Sequence, residues 1–535
     1  MATTMVTGRV CQAMLNPHTR HPAKTCRARI SWRDGPQFSM RGVSRSRPAM
    51  CASKKTKSET VSSQHSVISA RGKAREGRKV ALSPFDVALQ FIPLDNTVFF
   101  LLPGDVSSTQ LQAALETALD VYPEFGGKLI KDEQDQKLFI DTSSPCVDIF
   151  EITVDKMPDT CLKTSKQTSQ LKSVLQECEL AVPPSGPDSC GTLDSTQALT
   201  KVTLVHTKDR QQTGLGFSYN HIVTDAGGMF RFLGGVASLC RGDGDNNECT
   251  INVIPPPSNL MEKRKPLIWE DAKSSLPPEL VADCGFGIDA IRGDPPKCVW
   301  RMLEVPAERL CGLKEELESL EMFSNRFVSN NDIICASLWQ LRARLAGSED
   351  VDKELHLSMA YNFRGKRYPS DMPAVGVNYF GNAVIPLVIP NSKPMQTTVG
   401  SIQNASLEEL VHRVRMRLEE FTPEHVREAT IYLSQCMYST PNLGLGAFLK
   451  GAITPHFELY GVHTSNWSRY MDMAALNFGT GPCTGLVLAS EPRVPMAIIF
   501  AHPRDHGTFI VQAAIPENQA DRLQAALEGT VFNCL

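Results

Sequence analysis

Residues 109–119 place apolar side chains at helical spacing, whereas residues 201–206 alternate in the manner of a strand. The apolar run Leu215-Gly216-Phe217-Ser218-Tyr219 then ends just before His221, and the pair Gly227-Gly228 opens a stretch through Met229-Phe230-Arg231-Phe232-Leu233 that is expected to be a helix. The second half repeats this mixture, with a helix expected over 307–317 and strands over 497–500 and 509–515. Between the halves, a proline-rich region runs from Ile254-Pro255-Pro256-Pro257 to Pro295-Pro296 with few periodic segments, and it reads as a long crossover. The pattern therefore predicts an α/β protein in two halves. No apolar run approaches the roughly 18 residues that a membrane span needs, so no transmembrane segment is expected.

Composition adds a division that hydropathy does not show. The 535 residues carry a formal net charge of −3, yet residues 1–80 hold 17 Lys and Arg against Asp34, Glu59 and Glu76, leaving 38 basic and 55 acidic residues in the remainder. The first stretch is +14 and the rest −17. A tail rich in Arg, Ser and Thr, poor in acids and lacking a secretory apolar core fits an organellar transit peptide. Residues 1–80 are accordingly expected to be a disordered transit peptide and leader, with Pro48-Ala49-Met50-Cys51-Ala52 resembling a plastid processing site. A plastid destination is expected; a mitochondrial presequence and a basic arm for acidic surfaces are the alternatives. The acidic body excludes nucleic acid as a partner, since phosphate neutralisation requires clustered positive charge. The sixteen cysteines form no C-x-x-C pair and lie near no histidine cluster, so no metal site and no disulfide scaffold are expected.

Candidate chemistry concentrates at His221-Ile222-Val223-Thr224-Asp225-Ala226-Gly227-Gly228. An imidazole titrates near neutrality, so it can remove a proton from an alcohol or amine and return it to a leaving group. The carboxylate of Asp225, four positions on, suggests a partner that holds the base in place. By itself the pair is also compatible with an ordinary surface or core contact; its position at a strand-to-helix turn is what favours a site.

Further segments lie in a definite order around this motif. Leu82-Ser83-Pro84-Phe85-Asp86 and Tyr122-Pro123-Glu124-Phe125-Gly126-Gly127-Lys128-Leu129 precede it. Asn331-Asp332-Ile333-Ile334-Cys335-Ala336-Ser337-Leu338-Trp339, Asn362-Phe363-Arg364-Gly365-Lys366-Arg367, Tyr379-Phe380-Gly381-Asn382-Ala383-Val384 and Asn477-Phe478-Gly479-Thr480-Gly481 follow. After about residue 80 the chain thereby resembles the BAHD family of acyl-CoA-dependent acyltransferases, whose segments are written LSPxD, YPLAGRL, HxxxD, YFGNA and DFGWG.

That resemblance implies two similar chloramphenicol-acetyltransferase-like domains, 81–254 carrying HxxxD and 298–535 carrying the DFGWG-like turn. They would be joined by a crossover over 255–297, with the site in a channel at the domain interface. It implies an acyl-CoA donor used as co-substrate, a small-molecule alcohol or amine acceptor, no further cofactor, and a monomer. His221 would be the catalytic base, and Asp225, paired with Arg364 and followed by Gly227 and Gly228, would support the site. Phe478, Gly479, Thr480 and Gly481 would form the turn at the CoA side, and Trp467, in Thr464-Ser465-Asn466-Trp467, would lie at the acceptor side.

The chain departs from the family pattern at Asn477 and Thr480, where the family has aspartate and tryptophan, and at Asn220, where many members have a second histidine. Thr480 is left open between a hydrogen bond to ligand and a solvent-exposed turn hydroxyl. Trp467, Phe217 and Tyr219 are equally compatible with core packing, and Lys314 with a solvated helix surface rather than a CoA phosphate contact. A second function class also stays open: a non-catalytic relative that assists a lipid-elongating or other partner enzyme.

Overall fold

A computed structural model describes residues 62–69, 79–83, 85, 86, 96–132, 138–155, 157, 198–242, 297–365, 375–377, 379–389, 397–427, 429, 430, 461–489, 492 and 495–535. All of them belong to one compact unit, Ser58–Leu535. The crossover expected over 255–297 lies outside the described residues, apart from its last residue.

The first half is organised around helix α1 (Ser108–Val121) and strands β1 (Ser62–Ser69), β2 (Lys79–Ala81), β3 (Asn96–Pro103), β4 (Lys128–Lys131), β5 (Leu138–Asp141), β6 (Cys146–Val154), β7 (Thr200–Thr207) and β8 (Gln212–Tyr219). The side chain of Ser107 caps α1 by accepting from the backbone N–H of Gln110. The helix buries Leu111, Ala114, Leu115, Ala118 and Leu119, the 3.6-residue stripe its spacing foretold. Beyond β8 comes helix α2 (Ala226–Arg241), followed in the second half by β9 (Cys298–Val305), α3 (Ala307–Glu318), α4 (Asn330–Leu345), β10 (Leu357–Asn362), β11 (Val384–Val388), α5 (Val399–Asn404) and α6 (Leu407–Glu420). Strands β12 (Val462–Asn466), β13 (Gly485–Leu488), β14 (Met496–Ala501), β15 (Phe509–Pro516) and β16 (Asn533–Cys534) complete it. The elements expected over 109–119, 201–206, 229–233, 307–317, 497–500 and 509–515 all form.

Two large sheets result, one ordered β1-β6-β7-β8-β3-β13 and the other β11-β10-β12-β14-β15-β9-β16, beside a small β2-β5-β4 sheet. The fold is mixed α/β, as expected. Strand β13 belongs to the second half in sequence but pairs antiparallel with β3 of the first sheet, Gly485 opposite Leu101 and Leu488 opposite Val98. Gln512 of β15 secures the end of this strand. Its side-chain carbonyl accepts from the N–H of Leu488 at 2.8 Å and its amide donates to the carbonyl of the same residue at 2.9 Å. One residue of the second sheet thus satisfies the backbone of a strand in the first, in the manner of a ladder partner.

One expectation requires correction. Residues 62–69, read as part of a disordered leader, form β1, which pairs with β6 along its whole length from Ser62 opposite Thr153 to Ser69 opposite Cys146. Residues 79–81, at the end of that leader, form β2 against β5. The reason is local: the stretch 58–70 carries no Lys or Arg at all, so nothing in it repels pairing, and a polar strand is tolerated at a sheet edge where one side is solvated. A chain that starts at residue 80 is therefore expected to unfold at lower temperature and to aggregate more than one that starts at residue 58, because the removal of β1 exposes the edge of β6. Thermal unfolding of the two chains, with size-exclusion profiles, checks this; equal midpoints would contradict it.

Candidate functional site

The turn between β8 and α2 is built by Asn220. Its N–H donates to the carbonyl of Leu199, its own carbonyl accepts from Val223 N at 3.0 Å, and its side-chain Oδ1 accepts from Ile222 N at 2.9 Å. Three bonds on one residue fold residues 220–223 tightly and hold His221 at the strand end. Asn220 is buried, so the position at which many relatives carry a second histidine serves here as the turn's internal brace.

Asp225 then starts α2. Its Oδ1 accepts from Gly228 N at 3.3 Å, an N-cap bond, while Oδ2 accepts from Ala383 N at 2.9 Å and meets Arg364 Nη1 at 2.8 Å. Both side chains of the ion pair are almost fully buried, 4% and 6% exposed. Arg364 also donates to the carbonyls of Tyr379 (2.8 Å) and Gly381 and to Asn362 Oδ1 (3.3 Å). The pair therefore clamps the first turn of α2 to the segment 379–383 of the second half. Gly228 makes the close approach possible: a Cβ there would lie 1.9 Å from Thr224 Oγ1 and 2.8 Å from the carbonyl oxygen of Phe380. Thr224 itself donates its hydroxyl to that carbonyl. At Gly227 a Cβ would come within 3.3 Å of Asp225 Oδ1.

The ring of His221 is half-buried and its Nδ1 lies 2.9 Å from Asn382 Oδ1. The other half of the Asn382 amide fixes which atom is which. Nδ2 donates to Asp86 Oδ1 at 2.8 Å and to the carbonyl of His221 at 2.8 Å, and both of those oxygens can only accept. The amide oxygen must then face the imidazole, so Nδ1 carries the hydrogen and Nε2 carries the lone pair. Asp86 is held in turn by a reciprocal pair of bonds, Ser83 N to Asp86 Oδ2 at 2.8 Å and Asp86 N to Ser83 Oγ at 3.1 Å, and it also accepts from Asn382 N at 2.9 Å. Burial holds the imidazole below its usual pKa, while the carboxylates of Asp225 and Asp86 and the Asn382 contact pull the other way. A neutral ring whose Nε2 has no hydrogen-bond partner among the described residues is a proton acceptor ready at neutral pH.

Asp86 and Asn382 were not singled out as site residues in the sequence, although both sit in segments that were. Their signal was the order of those segments around the histidine; nothing in residue type or spacing announced that a carboxylate and an amide 296 positions apart would meet.

The second turn has a different construction. Asn477 Oδ1 accepts from Gly479 N at 3.0 Å and Gly481 N at 2.9 Å, and these glycines have φ of +99° and +126°, values that side-chain-bearing residues rarely adopt. A single acceptor oxygen suffices for both bonds, so an asparagine fills the role an aspartate could play without its charge. Phe478 is buried beneath the turn. Arg241, in the last turn of α2, donates to the carbonyls of Ala475 (3.1 Å) and Asn477 (2.6 Å). Helix α2 thus touches the His221 turn with one end and the glycine turn with the other, which sets them about 24 Å apart for 16 residues. The hydroxyl of Thr480 is neither solvent-exposed nor hydrogen-bonded among the described residues; its oxygen is buried, and its Cβ packs against Gly104.

The other candidates lie in packed positions. Trp467 is buried edge-on against Phe230 of α2 and Phe500 of β14, with ring centroids at 5.9 and 5.8 Å, and donates Nε1–H to Ser465 Oγ at 3.0 Å. Phe217 and Tyr219 are core residues. Lys314 pairs with Glu318 at 3.7 Å on the surface of α3 and sits over the Phe327 ring at 4.7 Å.

The sequence profile described as "Transferase family" matches residues 59–529, nearly the whole compact unit. The chain belongs to this family of BAHD acyltransferases. Among curated BAHD-type relatives it is similar to "Acyl transferase 9" of Oryza sativa subsp. japonica, 22% identical over 272 residues that make up 50% of this chain and 51% of that one. The chain thus spans about half the length of the curated relative it matches. Solved structures share the fold, TRI101 and vinorine synthase among them. TRI101 of F. graminearum complexed with ethyl coenzyme A superposes with a TM-score of 0.59 at 16% identity, over 84% of this chain and 97% of that one. Vinorine synthase superposes with 0.57 at 15%, over 88% and 99%. The fold is that of the two-domain BAHD acyltransferases. Among the described residues no helix is long and apolar enough to cross a membrane.

Proposed function

We propose that this protein transfers an acyl group from acyl-CoA to the hydroxyl or amine of a small-molecule acceptor, with His221 as the general base. One observation carries the reading: the Nδ1–H of His221 is committed to the Asn382 amide oxygen, so Nε2 is the basic atom. In this scheme Nε2 removes the acceptor proton as the acceptor oxygen or nitrogen attacks the thioester carbonyl. The tetrahedral oxyanion then collapses, the C–S bond breaks, and the imidazolium returns its proton to the departing CoA thiolate. No acyl-enzyme forms, and proximity of the two substrates supplies much of the acceleration. The Asp86–Asn382 pair holds the imidazole tautomer and orientation through each cycle, and the Asp225–Arg364 pair keeps the turn closed from below without contact with the reacting atoms.

Thiol release from a panel of acyl-CoAs, acetyl through hydroxycinnamoyl to long-chain, with the full chain and a pooled plant extract as acceptor, tests this. His221→Ala is expected to lower acceptor-dependent release about 10²- to 10⁴-fold, the usual contribution of a positioned base. Because the base works only when neutral and burial lowers its pKa, the rate is expected to persist below pH 6.5 before it falls on the acid side. Release that survives His221→Ala would end the proposal.

A further inference from the structure

A cavity of about 390 Å³ lies between the face of the second sheet and strand β13. Its floor is made by Met302, Met473, Leu486, Phe500 and Ile510. The sheet register explains the grouping: Phe500 is opposite Ile510, and Ile510 is opposite Glu304, two residues beyond Met302, so these side chains share one face. Leu486 approaches from β13, which is bonded into the other sheet opposite Phe100. The cavity therefore exists because β13 leaves its own half, and its two walls belong to different sheets.

The lining is apolar at its floor and has Glu304, Thr484, His502 and Arg504 as its polar side chains. Thr484 has its backbone N–H and its hydroxyl both donated to the carbonyl of Leu101, at 2.8 and 3.1 Å, and offers a ligand no free proton. His502 accepts from the N–H groups of Arg504 (3.2 Å) and Asp505 (2.8 Å) through Nδ1, so a neutral ring presents an Nε2–H. Glu304 and Arg504 are the charged side chains of the lining; Arg504 is exposed and Glu304 half-buried. Two thioethers give the floor an adaptable shape. The volume falls in the range of small-molecule sites, most of which are apolar with a few polar groups that orient the ligand. Behind the cavity, Phe500 packs on Trp467, which in turn packs on Phe230 in the first two turns of α2.

We propose that this cavity takes the hydrocarbon chain of a substrate, which makes the protein selective for ligands with a long apolar chain. The inference rests on the acyltransferase reading and names the class of molecule it serves. A chain of this chemistry can arrive as the body of an acceptor alcohol or as the acyl group of the donor, and binding of each distinguishes them.

Calorimetric titration of the full chain with n-alkanols from hexanol to hexadecanol, and separately with saturated acyl-CoAs from acetyl to palmitoyl, reads this out. In the arm that supplies the chain, affinity is expected to rise about fourfold per methylene until the cavity is full. Met473→Trp is expected to end that rise at a shorter chain and Leu486→Ala at a longer one, with thermal unfolding confirming that both variants fold. The same titration in His221→Ala is expected to match the wild type, so that loss of acyl transfer and loss of chain binding are separate results. Chain-length-dependent binding without acyl transfer would remove the catalytic reading and leave the cavity assigned. Affinity independent of chain length in both arms, or unchanged by both cavity variants, overturns the assignment.

Discussion

Asn382→Ala is expected to reduce turnover by about 10²-fold or more, close to the effect of removing the base itself, although this residue contacts no reacting atom. Asn382 is the only group among the described residues bonded to His221 Nδ1, and without it the imidazole is free to rotate and to carry its hydrogen on either nitrogen. The variant also takes the Nδ2 donor from Asp86, a fully buried carboxylate, which adds about 1–3 kcal/mol of destabilisation. A merely structural role would lower stability and leave the pH dependence alone, so the decisive companion is Asp86→Asn. The carboxylate of Asp86 raises the pKa of His221, and its neutralisation must lower that pKa further. A base that is neutral down to lower pH keeps working there, so the acid limb of the rate profile is expected to move to lower pH. An acid limb that stays in place in Asp86→Asn, or moves upward, would show that the Asp86–Asn382 pair does not govern the base.

How much of this was legible in the sequence depends on the range over which each signal acts. Helix α1 and strand β7 follow from the spacing of their own apolar residues, and both formed where the pattern placed them. His221 and Asp225 lie four residues apart on one turn, so a local motif contained their relation. Arg364 was reached only through the resemblance, 139 positions from its partner, and the distance of 2.8 Å gives that carry-over a physical form. Asp86 and Asn382 show the limit: the LSPxD-like and YFGNA-like segments were visible, but the hydrogen bonds that fix the imidazole tautomer join three distant stretches of chain and depend on how β8, α2 and the 379–383 segment pack. β1 was misread for the opposite reason. Net charge was summed over 80 residues, which concealed the stretch 58–70, where no Lys or Arg occurs and edge pairing is unopposed. The sequence leaves the hydroxyl of Thr480 open between a ligand contact and solvent because the turn's own residues do not show what packs on it; in the structure Gly104 from the first half does.

The largest loss of stability is expected from Arg364→Ala. It leaves the carboxylate of Asp225 buried without its cation and the carbonyls of Tyr379 and Gly381 without a donor. Breaking a buried pair by removing one partner typically costs about 3–5 kcal/mol, a large part of the total stability of a domain. Asp225→Asn removes the charge from the same place but keeps an oxygen for Gly228 N or Ala383 N, so it is expected to cost distinctly less than the arginine variant. The two substitutions therefore separate charge pairing from capping. If clamping is the main task, the fraction of Asp225→Asn that stays folded should retain most of its turnover with an acid limb shifted down, since Asp225 also raises the pKa of His221. Denaturant unfolding of both variants alongside their rate profiles decides the matter. Equal stability of Arg364→Ala and wild type would mean that the turn carrying His221 is held by Thr224, Gly228 and Asn382 alone, and that the ion pair is dispensable to the site.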